Sequence, residues 1–378
     1  MVTSKKILFV VNAPEFFLSH RLPIAEAARH QGYSVHVATG AGIAVQKIED
    51  LGFTHHAIAL ARRGQNPLNE LATLFGLFRL NQKVKPDIVH LITIKPVLYG
   101  GIAARLSGVP AVVAAVSGLG TVFLGQGGLA GARRKLVSLL YRLAFKQRRL
   151  AVIFQNPDDR DTLLAMGSLT AQQARMIRGS GVALADYPVL PQPTGIPVVV
   201  MAARLLKDKG VFEFADAARL LKARGIAVVM RLIGDPDPGN PSSVSEGDLE
   251  QWRSEALVEL PGFMNDIAVQ YAAANIVCLP SYREGLPKGL IEAAACGRAV
   301  ITTDVPGCRD AITPGITGVL VQVKNATDLA DAIQNLIESP DQLLRMGEAG
   351  RELAEDAFTI ERVVDQHMRI YQELLVDV

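Results

Sequence analysis

Two glutamates flank one short turn in SYREGLPKGLIEAAACG, residues 281–297: Glu284 stands before Gly-Leu-Pro and Glu292 after it. The preceding run NIVCLPS reads as a strand, and EAAACG closes what reads as a helix. A turn that opens a helix can bind an anion, because the first backbone N–H groups have no partner within the helix. Here the N–H groups around Gly285, Leu286 and Lys288 can cradle a phosphate. Gly285 permits close backbone approach, and Pro287 is expected at the first helical position, where it has no N–H to lose. Glu292 falls about a turn and a half further in, and its side chain leans back toward the N-terminus. A carboxylate there can accept two neighbouring hydroxyls, as on a ribose. Glu284 lies on the other side of the phosphate position, where a sugar would be.

A second loop, MAARLLKDKG (residues 201–210), places Arg204 at a strand exit and Lys209 at the start of the next helix. A guanidinium fork and a point charge beside a helix N-terminus suit a diphosphate. The same pair also fits a solvated strand–helix loop.

The elements that must position these loops alternate twice. KKILFVV, YSVHVAT, DIVHLI and PAVVAAV read as near-continuous apolar strands separated by helical patterns such as RLPIAEAARHQG, the signature of a parallel sheet covered on both faces. PVLPQPTGIP (188–197) has four prolines and reads as a linker. The pattern then restarts with PVVVMAARL, a helix from Val211, IAVVMRLIG, LVELPGF, NIVCLPS, AVITTD and GVLVQV. The expected class is α/β: two doubly wound, Rossmann-like domains facing across a cleft. They comprise a first domain over 1–187, the linker 188–197, and a second domain over 198–357. The last segment, 358–378, is an amphipathic helix with apolar Val363, Val364, Met368, Tyr371, Leu374 and Leu375, placed to pack back on the first domain. Ligands of such sheets sit beyond the carboxyl ends of the strands, which is where both loops fall.

The chain has 378 residues, 49% hydrophobic and 20% charged, enough apolar material for two cores. Cys278, Cys296 and Cys308 show no metal-ligand spacing and are expected buried and reduced, which favours the cytosol. MVTSKKILFVV is too short in its apolar part for a signal peptide. Residues 106–132 carry no charge and could span a bilayer by length, but seven glycines and Pro110 interrupt them, so a buried strand and a glycine-rich loop are expected. Net charge is +2, yet residues 1–190 hold 22 basic against 10 acidic residues and the remainder is net −10. The N-terminal half is therefore built to meet something anionic. No zinc knuckle, RNA-binding aromatic motif or basic tail favours nucleic acid. The tract GARRKLVSLLYRLAFKQRR (131–149) sets Leu136, Leu139, Leu140 and Leu143 at helical spacing among Arg133, Arg134, Lys135, Arg142, Lys146, Arg148 and Arg149. It fits either a domain helix with a solvated basic face or a surface that docks on anionic lipid.

The Glu284–Glu292 context, with its strand before, Gly and Pro between and EAAACG after, resembles the retaining glycosyltransferases of family 4, which have the GT-B fold. The resemblance covers most of the chain. It implies that Glu292 binds the ribose of a nucleotide-sugar and Glu284 the transferred sugar or its reaction centre. Arg204 and Lys209 match the basic pair that stabilises the leaving diphosphate. GFMND (262–266), with Gly262, Phe263 and Met264, matches the loop that presents backbone to the base. LIGDPDPGN (232–240), with Gly234, matches a loop near the donor, and DVPGCRD (304–310) matches the segment after the next strand. The strings NAPEFFLSHRLPIA, HLITIKPVLYGG and VSGLGTVF look like bacterial enzymes that build O-antigen or N-glycan precursors on undecaprenyl diphosphate. That likeness implies a UDP-sugar donor, a polyprenyl-diphosphate-linked saccharide acceptor, and a protein peripheral on the inner face of the cytoplasmic membrane. Many family members carry a histidine after the strand equivalent to PAVVAAV; here Ser117-Gly118-Leu119-Gly120 stands there. His20 and His90 are the alternatives, and His20, Arg21, Ser117 and Gly118 are the expected acceptor-side residues. DPD at 235–237 resembles the Asp-x-Asp metal motif of another glycosyltransferase fold, but its prolines mark a turn. With Arg204, Lys209 and a helix dipole at the leaving group, transfer is expected to need no metal or other cofactor.

Rival readings are weaker. An NAD-dependent Rossmann protein needs Gly-x-Gly-x-x-Gly after an early strand, and NAPEFF stands there instead. A GT-B-type UDP-sugar epimerase, a transferase with a soluble acceptor, and a lipid-binding partner protein are the others.

Overall fold

The computed structural model describes residues 4–60, 67–119 and 128–376. They form two compact units, Met1–Ser180 with Glu361–Val378, and Gly181–Ile360.

The first unit is built on seven strands: β1 (Lys6–Val10), β2 (Ser34–Thr39), β3 (Thr54–Ala57), β4 (Ile88–Ile92), β5 (Ala111–Val116), β6 (Leu150–Phe154) and β7 (Ala174–Met176). They lie in the order β3-β2-β1-β4-β5-β6-β7, with every pair parallel. Strands β4, β5 and β6 are buried at every position, as a sheet covered on both faces requires. Alternate residues of β1 enter different cores: Leu8 and Val10 face one, Ile7 and Phe9 the other. The second of these cores also takes Val363, Met368, Ile370, Tyr371 and Leu375 of the helix Ile360–Leu375. That helix is therefore an integral layer of the first unit.

The second unit carries β8 (Val198–Ala202), β9 (Val229–Ile233), β10 (Glu259–Gly262), β11 (Ile276–Leu279), β12 (Ala299–Thr303) and β13 (Gly318–Val321). Their order is β10-β9-β8-β11-β12-β13, again all parallel. Strand order reverses between β8 and β11, which makes their carboxyl ends the topological switch point of this sheet. This arrangement is the doubly wound pair of sheets expected from the GT-B resemblance.

Two expectations about organisation are corrected. The chain passes between units at Ser180–Gly181, not at 187–188. The proline-rich stretch 188–197 is not a linker but lies inside the second unit. Arg298 Nη2 donates to the Leu190 carbonyl at 2.8 Å, and Asn275 Nδ2 to that of Pro193 at 3.1 Å. Residues 120–127 of the glycine-rich loop fall outside the described residues. The strand expected ahead of it is β5. Among the described residues no helix is long and apolar enough to cross a membrane. The three cysteines are free and buried. The basic tract forms the helix Gly128–Phe145, whose buried side is Tyr141, Ala144 and Phe145. Leu136 and Leu139 point outward, 57% and 52% exposed, and Leu143 is exposed with them.

Arg21 corrects a site expectation. It is 2% exposed, set between the helices Pro14–His20 and Leu22–His30. It cannot touch an acceptor there. Burial pulls its guanidinium down to about 10, and its Nη1 donates to the His20 carbonyl at 3.0 Å, at the carbonyl end of the first of those helices. His90, Tyr371 and His367 share this interior: His90 Nδ1 and the Tyr371 hydroxyl are 2.6 Å apart, and the two imidazole centroids 5.5 Å. His90 is therefore a structural histidine. Burial and the Arg21 charge hold His367 down to about 3, against an ordinary 6.5. The folded state thus refuses a proton that the unfolded chain accepts, so stability is full above pH 6.5 and falls as pH drops toward about 3. Replacing His367 with Gln should flatten the thermal midpoint against pH across that window, as a pH series of melting curves would show. An unchanged slope would remove His367 as a source of acid lability.

Candidate active site

The loops after β8, β9 and β10 are tied together by their backbones. Gly234 has φ +135°, and a Cβ on it would lie 1.9 Å from the Ala203 carbonyl oxygen, so only glycine lets the β8 and β9 exits come this close. Its N–H donates to the Gly262 carbonyl at 2.9 Å. Asp235 closes the set: its carbonyl accepts from the Leu205 N–H at 3.0 Å and its Oδ1 from the Phe263 N–H at 3.2 Å. Between these exits lies a cavity of about 470 Å³, with Arg204, Gly234, Asp237, Phe263, Met264 and Glu292 in its wall. Phe263 is 67% exposed and its N–H is already engaged by Asp235. Arg204 Nη1 donates to Asp237 Oδ2 at 2.8 Å. The two carboxylates of the DPD turn therefore serve a guanidinium and a backbone amide in this structure.

Beyond Arg204 the chain makes a 3-10 turn, Lys207–Lys209, before the helix Val211–Ala223. The β11 exit lies against it, because β11 is the neighbour of β8. The Tyr282 N–H donates to the Asp208 carbonyl at 2.9 Å. Lys209 Nζ forms an ion pair with Glu284 Oε1. The Ser281 hydroxyl is 2.7 Å from the same oxygen. The Glu284 backbone is fixed from below by the segment after β12: its N–H donates to Pro306 O at 3.1 Å. Gly307, with φ +83°, would put a Cβ 2.4 Å from the Glu284 carbonyl oxygen.

Gly285, Leu286 and Pro287 are all buried, and the Leu286 side chain belongs to the core of the unit. These residues can offer a ligand only backbone. Pro287 is the N-cap of the helix Lys288–Ala295 with φ −70° and ψ 123°, one position earlier than expected. Its extended ψ is what lets the chain turn into the helix, and Lys288 takes the first helical position. Lys288 Nζ lies 3.3 Å from Glu292 Oε1. Glu292 is 7% exposed and accepts a hydrogen bond from the Tyr187 hydroxyl at 2.6 Å. Burial and the Glu292 charge raise the Tyr187 and Tyr271 hydroxyls above their ordinary range.

Glu284, Lys209, Arg204 and Glu292 thus gather at the carboxyl ends of β8 and β11. The acceptor-side candidates belong to the first unit. His20 ends the helix Pro14–His20, its ring stacked on Phe16 at 4.0 Å and its Nδ1 2.7 Å from the Ser19 hydroxyl. Ser117 and Gly118 leave β5. Ser117 Oγ is buried with no hydrogen-bond partner among the described residues, and Gly118 has φ +104°. The next residue, Leu119, donates its N–H to Asp159 Oδ2 at 3.2 Å.

Residues 186–353 match the family described as Glycosyl transferases group 1, and residues 6–156 match Glycosyl transferase 4-like. Over an alignment of 388 positions the chain is 30% identical to N,N'-diacetylbacillosaminyl-diphospho-undecaprenol alpha-1,3-N-acetylgalactosaminyltransferase of Campylobacter jejuni, spanning 99% of this chain and 100% of the relative. The chain belongs to the family 4 glycosyltransferases. A second relative, UDP-Gal:alpha-D-GlcNAc-diphosphoundecaprenol alpha-1,3-galactosyltransferase of Escherichia coli, is 25% identical over 82% of this chain and 81% of its own. Among solved structures, Anabaena HepE in complex with UDP and glucose superposes with a TM-score of 0.78 at 21% identity, covering 97% of this chain and 99% of that one. This likeness supports the GT-B fold.

Three residues of the candidate site have roles that the sequence does not reveal. Tyr187 was hidden because it lies 105 positions from Glu292. Asp237 falls in LIGDPDPGN and in the DPD turn, but its contact with Arg204 has no local sign in the sequence. Gly307 was noted within DVPGCRD without its role; a glycine between a proline and a cysteine just past a strand was the available signal. Gly307→Ala should lower unfolding free energy by about 1–3 kcal/mol and reduce transfer through displacement of Glu284. Urea titration and a turnover assay check this, and a wild-type midpoint would refute the close approach.

Proposed function

We infer that this glycosyltransferase moves a hexose or N-acetylhexosamine from a UDP-sugar to a polyprenyl-diphosphate-linked saccharide, with retention and without a metal. The observation that carries the donor side is the grouping of Glu284 with Lys209, and of Arg204 with Glu292, around one switch point. The acceptor class rests on the two relatives whose names specify undecaprenol-linked substrates.

In this reading the uracil and ribose lie along the cavity walled by Phe263, Met264 and Gly234, with the ribose hydroxyls on Glu292. The diphosphate lies between Arg204, Lys209 and the N-terminus of the helix Lys288–Ala295, held by the N–H groups near Gly285, Leu286 and Lys288. The acceptor oxygen bonds to the anomeric carbon on the face the diphosphate leaves. The carbon–oxygen bond to the diphosphate breaks, and the acceptor's proton passes to the departing phosphate oxygen. The products are UDP and the lengthened saccharide. Positioning and electrostatics do most of the work. Arg204 and Lys209 offset the leaving charge, and Glu284 orients the sugar and offsets developing positive charge. His20, Ser117 and Gly118 are the proposed acceptor contacts.

A thermal-shift panel of nucleotides and UDP-sugars, with and without chelator, tests the donor reading. UDP and one UDP-sugar should raise the midpoint irrespective of chelator; a response only to GDP or adenine nucleotides would overturn it. Glu284→Gln should lower kcat about 100-fold or more with donor affinity nearly kept, while Glu292→Ala should weaken donor binding. Near-normal turnover in Glu284→Gln would sink its role.

The helix Gly128–Phe145 supports docking on anionic lipid at the inner face of the cytoplasmic membrane. Its exposed Leu136, Leu139 and Leu143 stand beside Arg134, Lys135 and Arg142, an apolar stripe with a cationic margin. Replacing the three leucines with Ser should abolish flotation with phosphatidylglycerol vesicles at low salt. Flotation indifferent to this change, or to anionic lipid, would count against the surface.

A further inference from the structure

An enclosed carboxylate needs donors, and Glu292 has two. The Tyr187 hydroxyl reaches Oε1 at 2.6 Å, and Lys288 Nζ is 3.3 Å from the same oxygen. The two differ in rigidity. Lys288 reaches across from one turn earlier on a long, half-buried side chain. Tyr187 is buried and is held at its backbone as well. Arg351 Nη1 donates to the Tyr187 carbonyl at 3.0 Å and to the Ala295 carbonyl at 2.6 Å. Ala295 is the last residue of the helix that carries Glu292. Arg351 therefore fastens the backbone of Tyr187 to the end of that helix, and the ring reaches back to the glutamate one turn inside it. Burial and the adjacent carboxylate raise the hydroxyl's pKa, so it is a donor throughout the working pH range.

The terminal torsion of a glutamate is broad and roughly two-fold. A lysine alone would let the carboxylate plane follow its ammonium. A fixed hydroxyl on Oε1 sets that plane and leaves Oε2 in one place. We propose that Tyr187 is a positioning residue for ribose recognition, its hydroxyl holding Glu292 Oε1 so that Oε2 accepts the vicinal 2′- and 3′-hydroxyls of the nucleotide. This rests on the reading of Glu292 as the ribose acceptor. It adds a residue outside the Glu284–Glu292 motif, from a segment 105 positions away.

Full-length wild type and Tyr187→Phe are titrated by calorimetry with UDP and with 2′,3′-dideoxy-UDP. The Phe variant keeps the ring and its packing and removes only the donor. It should bind UDP about 10-fold more weakly, the equivalent of one ribose hydroxyl's hydrogen bond to the carboxylate. The dideoxy nucleotide, weaker already in wild type, should bind both proteins alike. In turnover the variant should raise the donor KM with kcat held. A purely structural role would weaken both nucleotides equally, and that result overturns the proposal. Should Tyr187→Phe not fold, Lys288→Met removes the other donor near Oε1 and keeps the hydroxyl; it should keep the wild-type preference for UDP over the dideoxy nucleotide, and loss of that preference overturns the proposal. A Phe variant that keeps the wild-type preference for UDP sinks the role of Tyr187 and leaves the ribose reading standing. Wild type that binds the two nucleotides equally sinks both.

Discussion

Strand β8 lies between β9 and β11, and this single pairing choice brings Arg204, Lys209, Glu284 and Glu292 of the candidate site together. A parallel strand exits at the same end as its neighbours, so the loops after β8 and β11 must emerge side by side. That neighbourhood brings Lys209 to Glu284 although 75 positions separate them. The order reversal at β8 also sends the two crossovers to opposite sides, which opens the crevice the loops line. The close approaches at Gly234 and Gly307 follow from the same constraint. Each relieves a point where two strand exits meet with no room for a Cβ.

The electrostatics of the site are local and paired. Arg204 meets Asp237, Lys209 meets Glu284, and Glu292 has Lys288 and Tyr187. Partly enclosed ion pairs of this kind contribute little net stability, because desolvation offsets much of the attraction, but each fixes the direction of its partners. Side chains held in this way meet a ligand from set directions. The negatively charged second unit thus presents its cations in defined positions, not as a diffuse positive field.

What the sequence made legible is what depends on neighbours in sequence. The apolar runs mark the strands, and the residues just after them mark the loops of the candidate site. Pro287 was misplaced by one position because a proline suits both the N-cap and the next residue. Long-range contacts were invisible. Arg21 reads as an acceptor-side residue, but it is buried beside His90, His367 and Tyr371, up to 350 positions away. The prolines at 188–197 read as a free linker, but their carbonyls are claimed by Arg298 and Asn275. The true crossing at Ser180–Gly181 did carry a local sign, the two left-handed glycines Gly179 and Gly181. The leucines of the basic helix followed a helical period, yet the period does not say which side of the helix faces the core.

The helix Ile360–Leu375 has a bearing on synthesis at the ribosome. All seven strands of the first unit precede residue 181, but one face of their sheet is completed by Val363, Met368, Ile370, Tyr371 and Leu375. The second unit is a continuous segment between them. It has all of its core once residue 360 has emerged, whereas the first unit does not. Translation proceeds at about 5–20 residues per second, so the uncovered face waits roughly 10–40 s for its last layer. The half of the protein made first is therefore completed last, and until then the surface around His90, which Tyr371 covers in the finished fold, is open to the holdase chaperones of the cell.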